Sequence, residues 1–178
     1  MNNRISSKAK IGVNVKIGEF TTIEDDVVIG DNVVIENHCV IQKNVTIGAN
    51  TVIKNFVELR QGTVIGEDCL IDSRVSSSGN CIIGNNVTVR YDSIIARGVR
   101  IGNNTYVCPR VMTNNLDTSK KQIGGAHIGA NCFIGTNAVL QHGITLGANV
   151  TIGSLAYVNK DCEPGETYIG IPAKKMNK

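Results

Sequence analysis

Ile11-Gly-Val-Asn-Val-Lys16, Ile17-Gly-Glu-Phe-Thr-Thr22, Ile23-Glu-Asp-Asp-Val-Val28 and Ile29-Gly-Asp-Asn-Val-Val34 are four consecutive hexapeptides of one pattern. An Ile leads each one, and Val or Thr holds the fifth place. The register starts at Ile5 and runs without a slip through Val107. Gly12, Gly30, Gly48, Gly66, Gly84 and Gly102 recur every third hexapeptide. A six-residue period grouped in threes is that of a parallel β-helix, in which three hexapeptides close one triangular coil. The expected fold is therefore all-β, a hexapeptide-repeat solenoid shaped as a triangular prism.

Each position in the repeat has a physical role. Position one is Ile, Val or Leu and should point inward. Position five is small and should also point inward. Position four is rich in Asn: Asn14, Asn32, Asn44, Asn50, Asn80, Asn86, Asn104, Asn131, Asn137 and Asn149. Asn tolerates positive φ, so the chain should turn its corners there. With about 4.8 Å of rise per coil, eight to nine coils make a prism roughly 40 Å tall.

The register breaks once. After Gly102 the next corner glycine belongs at residue 120 but stands at Gly129, and Gly147 and Gly165 then resume the spacing. About nine residues therefore leave the prism within 113–127. That segment is polar and glycine-containing, as a surface loop is, and an insertion in a strict solenoid usually lies on the binding face. From Pro164 the repeat fades, and 164–178 should form a short cap over the last coil. The whole chain, 1–178, reads as one domain.

Composition narrows the function classes. Aromatics are 4% and Trp is absent, which suits a narrow column of β-branched residues. Net charge is +3 with scattered basic residues, and no basic–aromatic interleaving suggests a nucleic-acid partner. No apolar run approaches 18 residues, so no membrane insertion is expected. Met1 to Lys10 has no apolar core of the kind a secretory signal carries. Cys39, Cys69, Cys81, Cys132 and Cys162 fall by count at position five, where free Cys serves as a small hydrophobe. With Cys108 they make six, without a CxxC pair, so free thiols and a reducing, cytoplasmic location are expected.

From Ile5 to Lys175 the chain resembles the left-handed β-helix hexapeptide acyltransferases. The left hand comes from that resemblance and is an exception to the usual crossover rule. The stretches Ile128-Gly-Ala-Asn-Cys-Phe-Ile-Gly-Thr-Asn-Ala-Val-Leu-Gln-His-Gly-Ile-Thr-Leu-Gly147, Val158-Asn-Lys-Asp161 and Gly170-Ile-Pro-Ala-Lys174 are similar to the acetyl-CoA-dependent sugar acetyltransferases. The resemblance implies a homotrimer, with a sugar or nucleotide-sugar acceptor and acetyl-CoA bound between neighbouring prisms, and no metal. Carried over by position, Thr136 and Ser154 would meet the pantetheine arm through backbone groups. Lys160 would lie near the nucleotide of CoA, and Lys174 would meet a CoA phosphate, where a cation is chemically apt.

One element of the resemblance is missing. The saccharide O-acetyltransferases place a His on the excursion loop, whereas this loop offers Asn114, Asn115, Asp117, Thr118 and Ser119, with His127 only at its exit. Val107-Cys-Pro-Arg-Val-Met-Thr-Asn-Asn115 looks closer to N-acetyltransferases acting on nucleotide-linked amino sugars. An amine with pKa roughly 8 is partly neutral at pH 7 and can attack a thioester, while a hydroxyl usually needs a base. Candidate catalytic residues are His142, His127, Asn115 and Asp117. His142 stands at a corner one coil beyond the loop, where it could face a neighbouring subunit, and His suits proton transfer near neutral pH.

The leading expectation is acetyl transfer from acetyl-CoA to the amine of a nucleotide-linked amino sugar for surface-polysaccharide synthesis. Saccharide O-acetylation with His142 or His127 as base is the alternative. Long-chain acyl transfer, a γ-type carbonic anhydrase and a non-catalytic trimeric scaffold are further readings. His38 lies about five coils from the loop, roughly 24 Å away, too far to share one zinc with His127 and His142 within a chain.

Overall fold

The computed structural model describes residues 2–176 and is built from two- and three-residue strands joined by tight turns, with no helix among the described residues. The strands stack into three parallel sheets, one for each face of the prism. Face one runs over nine strands from Arg4–Ile5 to Tyr157–Val158, and face two over eight from Lys10–Ile11 to Thr145–Leu146. Face three holds ten, from Lys16–Ile17 to Lys174–Lys175. Arg4 pairs with Thr22, Lys10 with Val28 and Lys16 with Val34, so each strand meets its equivalent one coil later. This parallel solenoid is consistent with the left-handed prism that the resemblance implies.

The repeat positions behave as their chemistry requires. Position one forms a dry column through the prism, with Ile35, Ile53, Ile71, Ile95, Ile134 and Leu140 each at most 1% exposed. Position five turns inward beside it. There Thr21 donates Oγ1–H to the Glu36 carbonyl at 3.0 Å, and the Cys39 thiol donates to the Lys54 carbonyl at the same distance. Thr51 to Gly66 and Cys132 to Gly147 repeat the contact at 2.9 and 3.2 Å. Cys, Thr and Ser are thus interchangeable at this slot because each is small and carries one donor for the next coil. All six cysteines are unpaired and buried. Burial pushes the Cys39, Cys69, Cys81 and Cys132 thiols up, and Cys162 up to about 12.

Position four turns the chain at all three corners, with φ near 58° for Asn32, Asn44 and Asn137, one on each. Between faces two and three these residues make an amide ladder: Asn14 donates to Asn32, Asn32 to Asn50 and Asn50 to Asp68, at 3.2, 3.2 and 3.1 Å. The corner from face three to face one carries a different column. Phe20, His38 and Phe56 stack there with ring centroids 4.9 Å apart, and Arg74, Asp92 and Arg110 follow above them. Glycine at position two lets coils approach closely. A Cβ on Gly48 would lie 2.5 Å from the Gly66 carbonyl carbon.

Ile101 pairs with Ile128 and Met112 with Val139, 27 residues apart where an ordinary coil takes 18, which confirms nine extra residues in this coil. Thr113 and His127 themselves remain strand residues, so the excursion proper is 114–126. The final coil corrects two expectations. Leu146 bridges Cys162 and Thr151 pairs with Thr167, so this coil is two residues short. Cys162 therefore occupies a position-one slot. Gly165 sits on the left-handed corner after Asn149, with φ 75°, and not on the position-two glycine column. The Asp161 carboxylate accepts the Thr145 N–H at 2.7 Å, and Pro164 packs over Gly147. These contacts close the shortened turn.

The cap is a β-turn-β unit. Thr167–Ile169 extends face three, and Lys174–Lys175 folds back antiparallel to it. Lys175 Nζ fastens it to Glu163 and Glu166 at 2.8 and 3.1 Å. The end of the expected cap, 177–178, lies outside the described residues, as does Met1.

Candidate active site

The candidate residues fall on two corners. The excursion leaves face one at Thr113 and re-enters face two at His127, so it rises from the corner between those faces. His142 and Lys160 follow on that corner. Thr136 and Ser154 lie on the corner from face three to face one, and Gly170 and Ala173 fold over the same edge, bonded to Tyr157 N–H and C=O at 3.0 and 2.7 Å. One chain therefore brings together Asn115, Asp117, His127 and His142, and separately Thr136, Ser154 and the tail before Lys174. Lys160, expected with the second group, stands with the first.

The excursion is a small hairpin closed by its own groups. Leu116 bridges Gln122 antiparallel, and the Asn115 carbonyl accepts from Ile123 N–H at 3.0 Å and Gly124 N–H at 3.3 Å. Asp117 holds the turn: its Oδ1 accepts Ser119 Oγ–H at 2.7 Å and the N–H groups of Ser119 and Lys121 at 2.9 Å each. The Ser119 hydroxyl and the Lys121 amide keep this carboxyl below its ordinary range. Asp117 thus spends Oδ1 on loop shape. Asn115 is half-buried, and its side chain has no hydrogen-bond partner among the described residues, so it is available to a ligand.

His142 is not a plain outward corner residue. Its ring is half-buried, Nδ1 is enclosed without a partner, and Nε2 lies 3.0 Å from Gln141 Nε2. Gln141 Oε1 accepts the Tyr157 hydroxyl, so the Gln141 amide presents its NH₂ to His142. A nitrogen facing an NH₂ donor must accept, which places the imidazole proton on Nδ1. The loop closes over this corner, where a Cβ on Gly143 would come within 3.1 Å of Ile123 Cγ2. Sequence reasoning missed Gln141 and Tyr157. The available signal was that Tyr157 and Val139 are one coil apart on face one, so the outward Tyr157 can reach Gln141, two places past Val139.

On the second corner the two lowest position-three amides are capped by side chains: Glu19 N–H by Asn37 Oδ1 at 2.8 Å, and Asn37 N–H by Asn55 Oδ1 at 3.1 Å. The N–H groups of Thr136 and Ser154, like those of Asn55 and Tyr91 lower on this corner, donate to no acceptor among the described residues. Beside them, Lys174 is exposed and makes no ion pair among the described residues, in contrast with Lys175. The arrangement offers two free backbone donors in line and a cation past the end.

A family profile described as bacterial transferase hexapeptide (six repeats) matches residues 8–43, 26–61 and 125–160, together just over half of the chain. The chain belongs to the hexapeptide-repeat transferase family. It is 33% identical over 89 residues to a Schizosaccharomyces pombe protein named for acetyltransferase activity, covering 45% of this chain and 43% of that protein. It is 41% identical over 63 residues to the chloramphenicol acetyltransferase of Klebsiella aerogenes, covering 35% and 30%. The chain matches less than half the length of these curated relatives. Among solved structures, a UDP-N-acetylglucosamine acyltransferase from Bacteroides fragilis superposes with TM-score 0.73 at 23% identity, covering 98% of this chain and 72% of that one. That likeness establishes the shared prism.

His38 completes the histidines. It stacks between Phe20 and Phe56 on the face three to face one corner, remote from His127 on face two and from His142. No three His, Cys, Asp or Glu side chains converge as a metal-holding group among the described residues.

Proposed function

We propose that this protein is an acetyl-CoA-dependent acetyltransferase acting on a sugar, in particular on the amine of a nucleotide-linked amino sugar. The observation that carries the cofactor half is the pair of uncapped Thr136 and Ser154 amides below the Gly170–Lys174 turn. Two amides one coil apart suit the amide-bearing pantetheine arm, and Lys174 suits a phosphate. The relatives named as acetyltransferases support the same chemistry.

The acceptor half rests on the loop. No histidine stands on the hairpin, Asp117 commits Oδ1 to its turn, and His142 is engaged by Gln141. An amine acceptor fits such a site. Its nitrogen lone pair forms the new C–N bond to the acetyl carbonyl. The C–S bond then breaks, CoA leaves as thiolate, and the proton lost from nitrogen neutralises that thiolate through water. Saccharide O-acetylation with His142 or His127 as base is the second reading, favoured by the exposure of His127.

The two groups of residues lie on different corners, so a complete site would combine corners from adjacent prisms. A homotrimer does this. Outward Val28, Val64 and Ile82 on face two, each 39% exposed, and Phe133 on face three, 46% exposed, give such prisms apolar flanks to bury. Sedimentation at micromolar concentration should show a trimer, and a stable monomer would refute it. Thiol release from acetyl-CoA, assayed against a panel of amino-sugar nucleotides, tests the activity. Release with neutral saccharides alone would replace the amine by a hydroxyl.

A further inference from the structure

A groove of about 660 Å³ opens where the excursion meets face two, bounded by Ile123, Gly124, Gly143 and the outward side chains of Arg100, His127 and Thr145. Arg100 and His127 are register partners, as are His127 and Thr145, so the three form one row on adjacent strands. Three further observations bear on its use. Arg60, Arg74, Arg90 and Arg110 each stand against a carboxylate, whereas Arg100, like Arg4 and Arg97, has no ion pair or side-chain hydrogen bond among the described residues. Asp161, the carboxylate above this row, already accepts the Thr145 N–H. The backbone ladder of this corner also lapses here. Asn44, Gly62, Asn80, Gly98 and Gly143 each donate N–H to the coil below, but Gly125 donates to no acceptor among the described residues.

The groove is floored by residues with little or no side chain, and the conformation requires this. Gly98, Gly124 and Gly143 have φ of 78°, 113° and 66°, and a Cβ on Gly125 would lie 2.3 Å from the Val99 nitrogen. Bare backbone therefore borders the groove, beside a guanidinium with a free bidentate edge, an imidazole and a hydroxyl. Of the glycine amides here, that of Gly125 is free to donate, as are the guanidinium, imidazole and hydroxyl, and the guanidinium fork matches the oxygens of a phosphate.

We infer that Arg100, with His127 beside it, binds the phosphoanion of the acceptor, which makes the acceptor a sugar carrying a phosphate or diphosphate and makes Arg100 a specificity-determining residue. This rests on the acetyltransferase reading for the word acceptor, but not for the anion. The two sources of phosphate in such a reaction are the acceptor and CoA, and the groove is assigned to the acceptor because it borders Asn115's loop. The Thr136–Ser154 line lies on another corner.

The test is a titration of protein labelled at its three histidines, followed by NMR. The probes are inorganic pyrophosphate, UDP-glucose (a nucleotide sugar with no amine to acetylate) and CoA. Pyrophosphate and UDP-glucose should move the His127 ring signals and compete with each other. Arg100→Gln should weaken both about tenfold or more, and Arg100→Lys should recover part of the loss, because charge remains while the fork is gone. CoA should leave His127 unmoved and should bind Arg100→Gln as tightly as the unaltered protein. An unchanged UDP-glucose affinity in a folded Arg100→Gln protein overturns the assignment, and so does a CoA-induced shift of His127 that Arg100→Gln abolishes. Failure of thiol release with intact pyrophosphate binding would remove the acetyltransferase reading and leave the anion site standing.

Discussion

Replacement of His142 by Asn separates two chemistries at this site. The structure gives Nε2 one hydrogen bond, from the Gln141 amide, and encloses Nδ1. To serve as a base, His142 would have to give up the Gln141 contact, a net loss of about 0.5–1.5 kcal/mol. If an amine attacks without it, His142→Asn should lower kcat by about tenfold or less, well short of the 10²- to 10⁴-fold for removing a general base. The Gln141 amide then lacks its partner, so about 1 kcal/mol of stability should go, or roughly 2–4 °C in Tm for a chain of this size. Excising 114–122 should cost far more, because positioning supplies several kcal/mol. The assay is steady-state thiol release with the acceptor that performs best in the panel, alongside a thermal melt. A thousandfold fall in kcat for His142→Asn, with acetyl-CoA KM unchanged, would refute the argument. It would make His142 the base and O-acetylation the leading chemistry.

Three further outcomes can be checked directly. Lys174→Ala should weaken CoA binding about tenfold while leaving dephospho-CoA nearly unaffected, as measured by calorimetry, because only the former loses its phosphate contact. Equal losses for both ligands would exclude that contact. Thiol reagents should react slowly with the native protein, whose buried thiols have raised pKa values, and should find all six cysteines after denaturation. The depressed Asp117 carboxyl contributes loop order that is present above its ordinary pKa of 3.8 and is lost as pH falls through its lower folded value. Pepsin should therefore cut within 114–124 increasingly as pH drops below that range, and Asp117→Asn should expose the same segment to proteases at neutral pH.

The fold was legible because its driving force is strictly periodic. An inward β-branched residue every sixth place and a turn-tolerant residue three places later leave one way to close a coil, and the excursion shows as lost register. The end of the prism was not legible. Gly165 and Cys162 keep the count of eighteen and six, yet Asp161 and Pro164 shorten the turn, and tertiary closure overrides the count. At the site, sequence singled out His142 but not its state. That state depends on Tyr157 and Gln141, which meet only because coils stack. Arg100 gave no signal at all. Its distinction is to stand unpaired in one row with His127 and Thr145 at the groove, and both pairing and that row are properties of three-dimensional neighbours.

The corner columns have a consequence for how change spreads through the molecule. Asn32 touches Asn14 below and Asn50 above, and His38 stacks on Phe20 below and Phe56 above. Each side chain on a corner therefore has an audience of two. A substitution should be felt one coil up and one coil down and then die out, so that variants several coils apart combine additively. The chemistry of a corner can thus be rewritten locally, one coil at a time, while the column of isoleucines behind it goes on specifying the same prism.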